Sequence, residues 1–254
     1  MATFIARRFL QGIVVLLAVS LLCFIIFRYM GDPVLTLAGR YATQAEQEEV
    51  RRTFGLDKPL YVQYVRFLWN AAHGNFGKSY VSRLPALDLI VERLPATFEL
   101  AACAMLIAFS LGLTLGVLVS LKPYAFQNRF IMALSLGGIS VPTFLTGILL
   151  IMIFSVYLGV MPSFGRGDTV QIGFWRTGLL TPSGLMHIIL PALTLGTHQL
   201  AVLLRLTRAG MREVLTQEYI KTAWSKGLSP MTVIFKHALR NVLIPVVTMA
   251  GLQF

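Results

Sequence analysis

The sequence is short of charge. Asp, Glu, Lys and Arg make up 13% of the 254 residues, where a soluble globular domain carries about a quarter. Acids are the scarcer sign: 11 Asp and Glu against 22 Lys and Arg, a net charge of +11. No Asp falls inside a long apolar run, so the intramembrane carboxylate pair expected of an ion-gradient transporter is missing. Cysteine is scarce as well. Cys23 and Cys103 both sit in apolar runs with no His or acid at ligand spacing, which argues against a disulfide scaffold and against a thiolate metal centre. The histidines, His73, His187, His198 and His237, are scattered and form no metal-binding pair, and there is no Gly-x-Ser-x-Gly elbow. The sequence therefore offers no catalytic set and no metal site.

What is present is apolar: 56% of the residues, with a mean hydropathy of +0.72. These residues come in blocks without a helical or strand period. Such helices are buried in protein or lipid, and about 20 uncharged residues cross a bilayer core. The reading is an integral protein of a lipid membrane with no nucleic-acid partner, in which the location of the positive charge matters more than its total. The first span is Phe9–Phe27, within a segment 1–30. It is too long for a signal-peptide core and has no small-residue cleavage site after it. Further spans lie near 98–121, 130–161 and 185–204. A fifth, 241–254, reaches Phe254 in mid-span, so the chain is expected to continue. Glu99 and Arg205 stand at span edges, where their side chains are expected to reach water.

Orientation follows from Lys and Arg in short loops. The segment 205–240 holds Arg205, Arg208, Arg212, Lys221, Lys226, Lys236 and Arg240 against only Glu213 and Glu218. This places the N-terminus and a loop at 210–240 in the cytoplasm. Residues 31–97 become an extracytoplasmic helical insertion, and 98–254 the core bundle. In the insertion, Thr43-Gln44-Ala45-Glu46 fits a capping box ahead of a helix that Gly55 ends. Pro59 suits the first position of a second helix, stopped by Gly74. Gly112, Gly116 and Ser120 form a small-residue row that lets helices approach closely, ordinary lipid-facing glycine being the plainer alternative. Pro142 is expected to interrupt the third span and Pro191 the fourth. Ser140, Pro142, Thr143, His198 and Gln199 are candidates for a translocation path. Polar groups bonded to a neighbouring helix are the plainer alternative.

Gly74-Asn75-Phe76-Gly77-Lys78-Ser79 imitates a phosphate loop, but Ala72 stands where the first Gly is required. The informative stretch runs from Glu218 to Asn241. It reads as two short amphipathic helices broken at Gly227, which can adopt positive φ. Ser229 can cap the second helix, with Pro230 at its first position. Such an elbow either presents its turn to a soluble partner or lies on anionic lipid.

The spacing Lys221-Thr222-Ala223, three residues, Gly227, nine residues, His237-Ala238-Leu239-Arg240 resembles the EAA loop of ABC-importer permeases. The first two letters and the final Pro depart from the general pattern. The form Tyr219-x-x-Thr222-Ala223-x-x-Lys226-Gly227-Leu228-Ser229, then His237-Ala238-Leu239-Arg240-Asn241, resembles the dipeptide/oligopeptide branch, which includes glutathione and nickel permeases. Gly31-Asp32-Pro33, Gly55 to Leu60, Gly77-x-Ser79, Glu92 to Thr97, Val141 to Phe144 and Leu190-Pro191-Ala192 follow that branch in order. Asn75 stands where the branch often shows Asp.

The resemblance implies an all-α type I ABC-importer permease fold in the bacterial inner membrane, with about five of roughly six spans in this chain. It implies import of peptides, of glutathione-like solutes, or of nickel or another small solute. It implies a second homologous permease, two cytoplasmic ATP-binding subunits and an extracytoplasmic solute-binding protein as partners. This chain would be no enzyme and would hold no cofactor, ATP and Mg residing on the partner subunits. Contact with them would fall on Glu218, Tyr219, Lys221, Thr222, Ala223, Lys226 and Gly227, with His237, Arg240 and Asn241 bracing the second helix.

Overall fold

The computed structural model describes residues 1–30, 34, 42–79, 82, 84–122 and 124–254; the Gly31-Asp32-Pro33 motif lies outside them. The chain divides into two compact units, Met1–Glu92 and Arg93–Phe254.

In the first unit, α1 (Ala2–Met30) is the N-terminal apolar helix. α2 (Gln44–Phe54) begins at the expected capping box. Thr43 donates its backbone N–H to Glu46 Oε2 at 2.7 Å and its hydroxyl at 2.9 Å. These bonds hold the Glu46 carboxyl below the usual carboxylate range. The box therefore tightens α2 while Glu46 is ionised and lets go as pH falls through the lowered value. Gly55, at φ 66°, closes the helix by donating to Arg51 and Arg52. Pro59 is the cap before α3 (Leu60–Ala72) rather than its first residue, a one-residue difference. Tyr64 of α3 donates to the Leu17 carbonyl at 3.0 Å, and Tyr64 and Phe67 pack on Phe24. The first span and the short helices thus form one unit.

In the second unit the bundle is built around α7. α4 (Ala86–Leu121) has 36 residues, about 54 Å at 1.5 Å per residue. It is followed by α5 (Phe126–Ser140), α6 (Thr143–Leu150) with a π-helical continuation over Ile151–Tyr157, and a loop bearing the hairpin β1 (Val170–Ile172) and β2 (Trp175–Thr177). Next come α7 (Pro182–Leu215), α8 (Glu218–Ser225), a π-helical turn at Thr232–Ala238 and α9 (Leu239–Gln253). α5, α6 and α9 all pack on α7. Among the described residues α1, α4, α7 and Thr232–Gln253 are long and apolar enough to cross a membrane, with the α5–α6 pair a fifth if it is one span.

The two proline expectations come out differently. The stretch 130–161 is two helices bent by 108°. Val141 sits at φ −83°, ψ 125°, because the ring of the following Pro142 clashes with a helical conformation there. Pro191, by contrast, lies inside a continuous α7. The expected interruption of the fourth span is corrected: the helix runs through.

The small-residue row is a close helix contact. A Cβ on Gly116 would come within 2.6 Å of Thr207 Cβ and 2.9 Å of the Leu204 carbonyl; at Gly112 the nearest atom would be Leu203 Cβ at 3.0 Å. Only glycine lets α4 and α7 approach this far. Beside that contact lies one apolar cluster. It joins Val117 of α4, Leu203 and Met211 of α7, Ile220 and Ala223 of α8, Val233, and Val242 and Val246 of α9.

Candidate functional site

The elbow between α7 and α9 is held from beneath. α8 is short because Gln217 opens it and Gly227 ends it. Ile220 and Ala223 recur three residues apart, so they share one face. Both are buried in the apolar cluster. The other face is exposed: it carries Glu218, Tyr219, Lys221, Thr222, Trp224 and Lys226. Lys221 donates to Glu218 at 2.7 Å, an exposed pair of little energetic weight.

Gly227 stands at φ 73°, and a Cβ there would meet nothing within 4 Å. Its role is conformational, since a side chain would be strained but not crowded. Its N–H donates to the Trp224 carbonyl at 2.9 Å. Ser229 accepts from the Thr232 N–H at 3.4 Å and shares a hydroxyl hydrogen bond with Thr232 at 2.9 Å.

Of the three residues expected to brace the second helix, Asn241 makes the tie. Its Nδ2 donates to Tyr219 Oη at 2.6 Å, linking α9 to α8 directly. His237 is half-buried and offers its carbonyl to Asn241 at 3.5 Å. Arg240 is exposed, with no side-chain partner among the described residues. The elbow offers no nucleophile with a base beside it, and no metal-holding cluster exists among the described residues. Its geometry joins an exposed outer face to side chains, Ile220 and Ala223, that are buried in the bundle core.

The candidate path residues fall into two groups. Ser140, Pro142 and Thr143 sit at the α5–α6 bend, where the Ser140 hydroxyl donates to Leu136 of its own helix at 3.0 Å. His198 is exposed on α7, and Gln199 donates to the Gln253 carbonyl at 3.4 Å. Gly138 and Gly147, either side of the bend, lie against Thr197 and Thr194. The bend therefore crosses the stretch of α7 that carries His198 and Gln199. No hydrogen bond joins the two groups among the described residues.

One site escaped the sequence. Glu99, expected at a span edge within reach of water, is only 5% exposed. Its Oε1 accepts from Trp175 Nε1 at 3.0 Å, and its Oε2 from the Gly178 N–H at 3.3 Å and Arg166 Nη2 at 3.4 Å. An acid at the head of an apolar run was the available signal. Its partners, 67 to 79 residues away, were not legible.

Residues 112–254 match the family model of the binding-protein-dependent transport system inner membrane component. Residues 1–101 match the model of its N-terminal membrane component. The chain belongs to this permease family. It is 43% identical, over all of its own length and 80% of the relative's, to the di/tripeptide transport system permease protein of Pseudomonas aeruginosa (strain UCBPP-PA14). It is 39% identical to the dipeptide transport system permease protein of Escherichia coli (strain K12), with the same coverage. It is 40% identical to that organism's glutathione transport system permease protein, again over the whole chain and 78% of the relative. The permease has the type I ABC-importer fold and is a multi-pass inner-membrane protein. The family is a membrane component rather than a catalytic one. The EAA-like stretch read from spacing is the α8–α9 elbow.

Proposed function

We propose that the permease passes di-, oligo- or glutathione-like peptides across the inner membrane, driven by ATP hydrolysed on two separate cytoplasmic subunits. A second homologous permease completes the path, and an extracytoplasmic binding protein delivers the solute. The observation that carries this reading is the elbow, whose inner face, Ile220 and Ala223, is locked into the transmembrane core while Glu218, Lys221, Thr222, Trp224 and Lys226 are exposed on its outer face. The peptide substrate is taken from the relatives, each similar over the whole of this chain.

The permease itself binds no nucleotide. Lys78 pairs with Pro85 in an isolated bridge, whereas a phosphate loop sets its Lys-Ser at a helix N-terminus. Gentle purification should retain two ATP-binding subunits, and the chain alone should bind no ATP. Isolation as a lone polypeptide with full transport activity, or saturable ATP binding lost in Lys78→Ala, would refute this reading.

The N-terminus and the elbow face the cytoplasm in this proposal, following the basic 205–240 segment. With Cys23 and Cys103 replaced by serine, single cysteines at Gln47 and Asp168 should react with an impermeant thiol reagent in intact cells. One at Ser225 should not. Labelling at Ser225 with Gln47 silent reverses the orientation.

A further inference from the structure

We propose that Glu99 is a positioning residue for transport, clamping the α6–α7 loop onto α4 so that loop and helix move as one body. The carboxylate is buried, and the donors that reach it, Arg166, Trp175, the Thr177 hydroxyl and Gly178, all come from one 13-residue stretch of that loop. Arg166 also donates to the Arg176 carbonyl, which folds the stretch back on itself around the acid. Phe98, the neighbour of Glu99 on α4, meets the Trp175 ring edge-on at 6.2 Å. A carboxylate out of water is tolerated only when its lone pairs are filled. Here both oxygens are engaged, so the group is committed to holding the loop.

The other end of the stretch is anchored separately. Thr181 donates its hydroxyl to the Asp168 carbonyl at 2.6 Å and accepts from the Gly184 N–H at 3.0 Å as the cap of α7. Releasing Glu99 would leave the loop anchored to α7 and held to α4 by the Phe98–Trp175 ring contact without its polar bonds.

α4 gives this clamp its consequence. From Glu99 to Val117 the helix has no proline, the only one in it being Pro95. That distance is about 27 Å. Val117 lies in the same buried cluster as Ile220 and Ala223 of the elbow, and Gly112 and Gly116 lock the helix to α7 between these ends. One rigid rod therefore carries the elbow's packing at one end and the loop at the other. A binding protein pressing on the loop acts on the elbow through α4 only while Glu99 holds; with Glu99 released, α7 alone carries the push.

The inference rests on the proposed function, and its test separates the two. The complete complex, in lipid nanodiscs, is assayed for ATP hydrolysis with and without binding protein loaded with alanylalanine. Trypsin cleavage after Arg176 reports release of the loop. The wild type should respond to loaded binding protein. Glu99→Ala should lose at least fivefold of that response and be cut after Arg176 at least tenfold faster. Glu99→Gln keeps one acceptor oxygen, able to serve either Trp175 or the Gly178 and Arg166 side, and should recover part of the response, above Glu99→Ala and below wild type. Trp175→Phe, which removes one donor and keeps the ring, should fall between Glu99→Ala and wild type, and it decides the matter where Glu99→Ala does not assemble. A wild-type complex without any response overturns the proposed function and the clamp with it. A responsive wild type, with Glu99→Ala equally responsive or Trp175→Phe indistinguishable from wild type, overturns the clamp alone.

Discussion

Replacing Gly116 with leucine is expected to lower the amount of permease in the membrane at least tenfold. A Cβ at this position would sit 2.6 Å from Thr207 Cβ, 2.8 Å from Thr207 Cγ2 and 2.9 Å from the Leu204 carbonyl oxygen. Thr207 is fully buried, so it has no open space to turn into, and the carbonyl is backbone. The helices must separate, and with them the packing of α7 in the core. Overpacking of a tight interior costs about 1–3 kcal/mol, occasionally more. A leucine at a backbone-limited contact belongs at the upper end. The effect should be graded along the row. Gly112→Ala meets its nearest atom at 3.0 Å and should lose less; Gly137→Ala meets nothing within 4 Å and should accumulate as wild type. Gly116→Ala combined with Thr207→Gly should recover part of what Gly116→Ala loses. Quantitative immunoblots of washed membranes read all five. Equal abundance of Gly116→Leu and wild type would contradict the close contact.

The second large effect separates function from folding. Gly227→Val should cut solute uptake at least tenfold with normal abundance in the membrane. The site is open, so valine brings strain and no clash. The strain is about 1–2 kcal/mol if the left-handed conformation is kept, small beside the burial of several spans. The chain should relieve it by re-aiming the turn, which shifts the exposed face of α8 away from its ATP-binding partner. Gly227→Asn, a side chain that tolerates φ near +57°, should transport at close to the wild-type rate. Wild-type uptake by Gly227→Val would make Gly227 a permissive loop residue and remove the elbow from the coupling path.

These two sites differ from Glu99 in how they were written in the sequence. The elbow and the α2 capping box are local: Ile220 and Ala223 sit one helical turn apart, and Thr43 reaches Glu46 across three residues. The Gly112–Gly116–Ser120 row names a contact face without naming its partner, and the structure supplies Leu204 and Thr207. Proline shows the limit of local reading. Pro142 and Pro191 carry the same signal, yet one stands at a 108° bend and the other inside a continuous helix. The difference lies in what surrounds them. α5 and α6 both pack on α7, and Pro142 lies between them, whereas Pro191 lies within α7 itself. Glu99 was legible only as an odd residue in an apolar run. Its meaning needed the hairpin, whose strands are three residues each and too short to stand out by alternation.

The central claim is that this chain is the membrane path of an ATP-driven peptide importer. The direct measurement is accumulation of labelled alanylalanine by proteoliposomes holding the complete complex, its binding protein on the solute side and ATP on the elbow side. The account predicts accumulation against a gradient that needs ATP, survives a protonophore and is lost in Gly227→Val. Accumulation driven by an imposed proton or sodium gradient without ATP would contradict it.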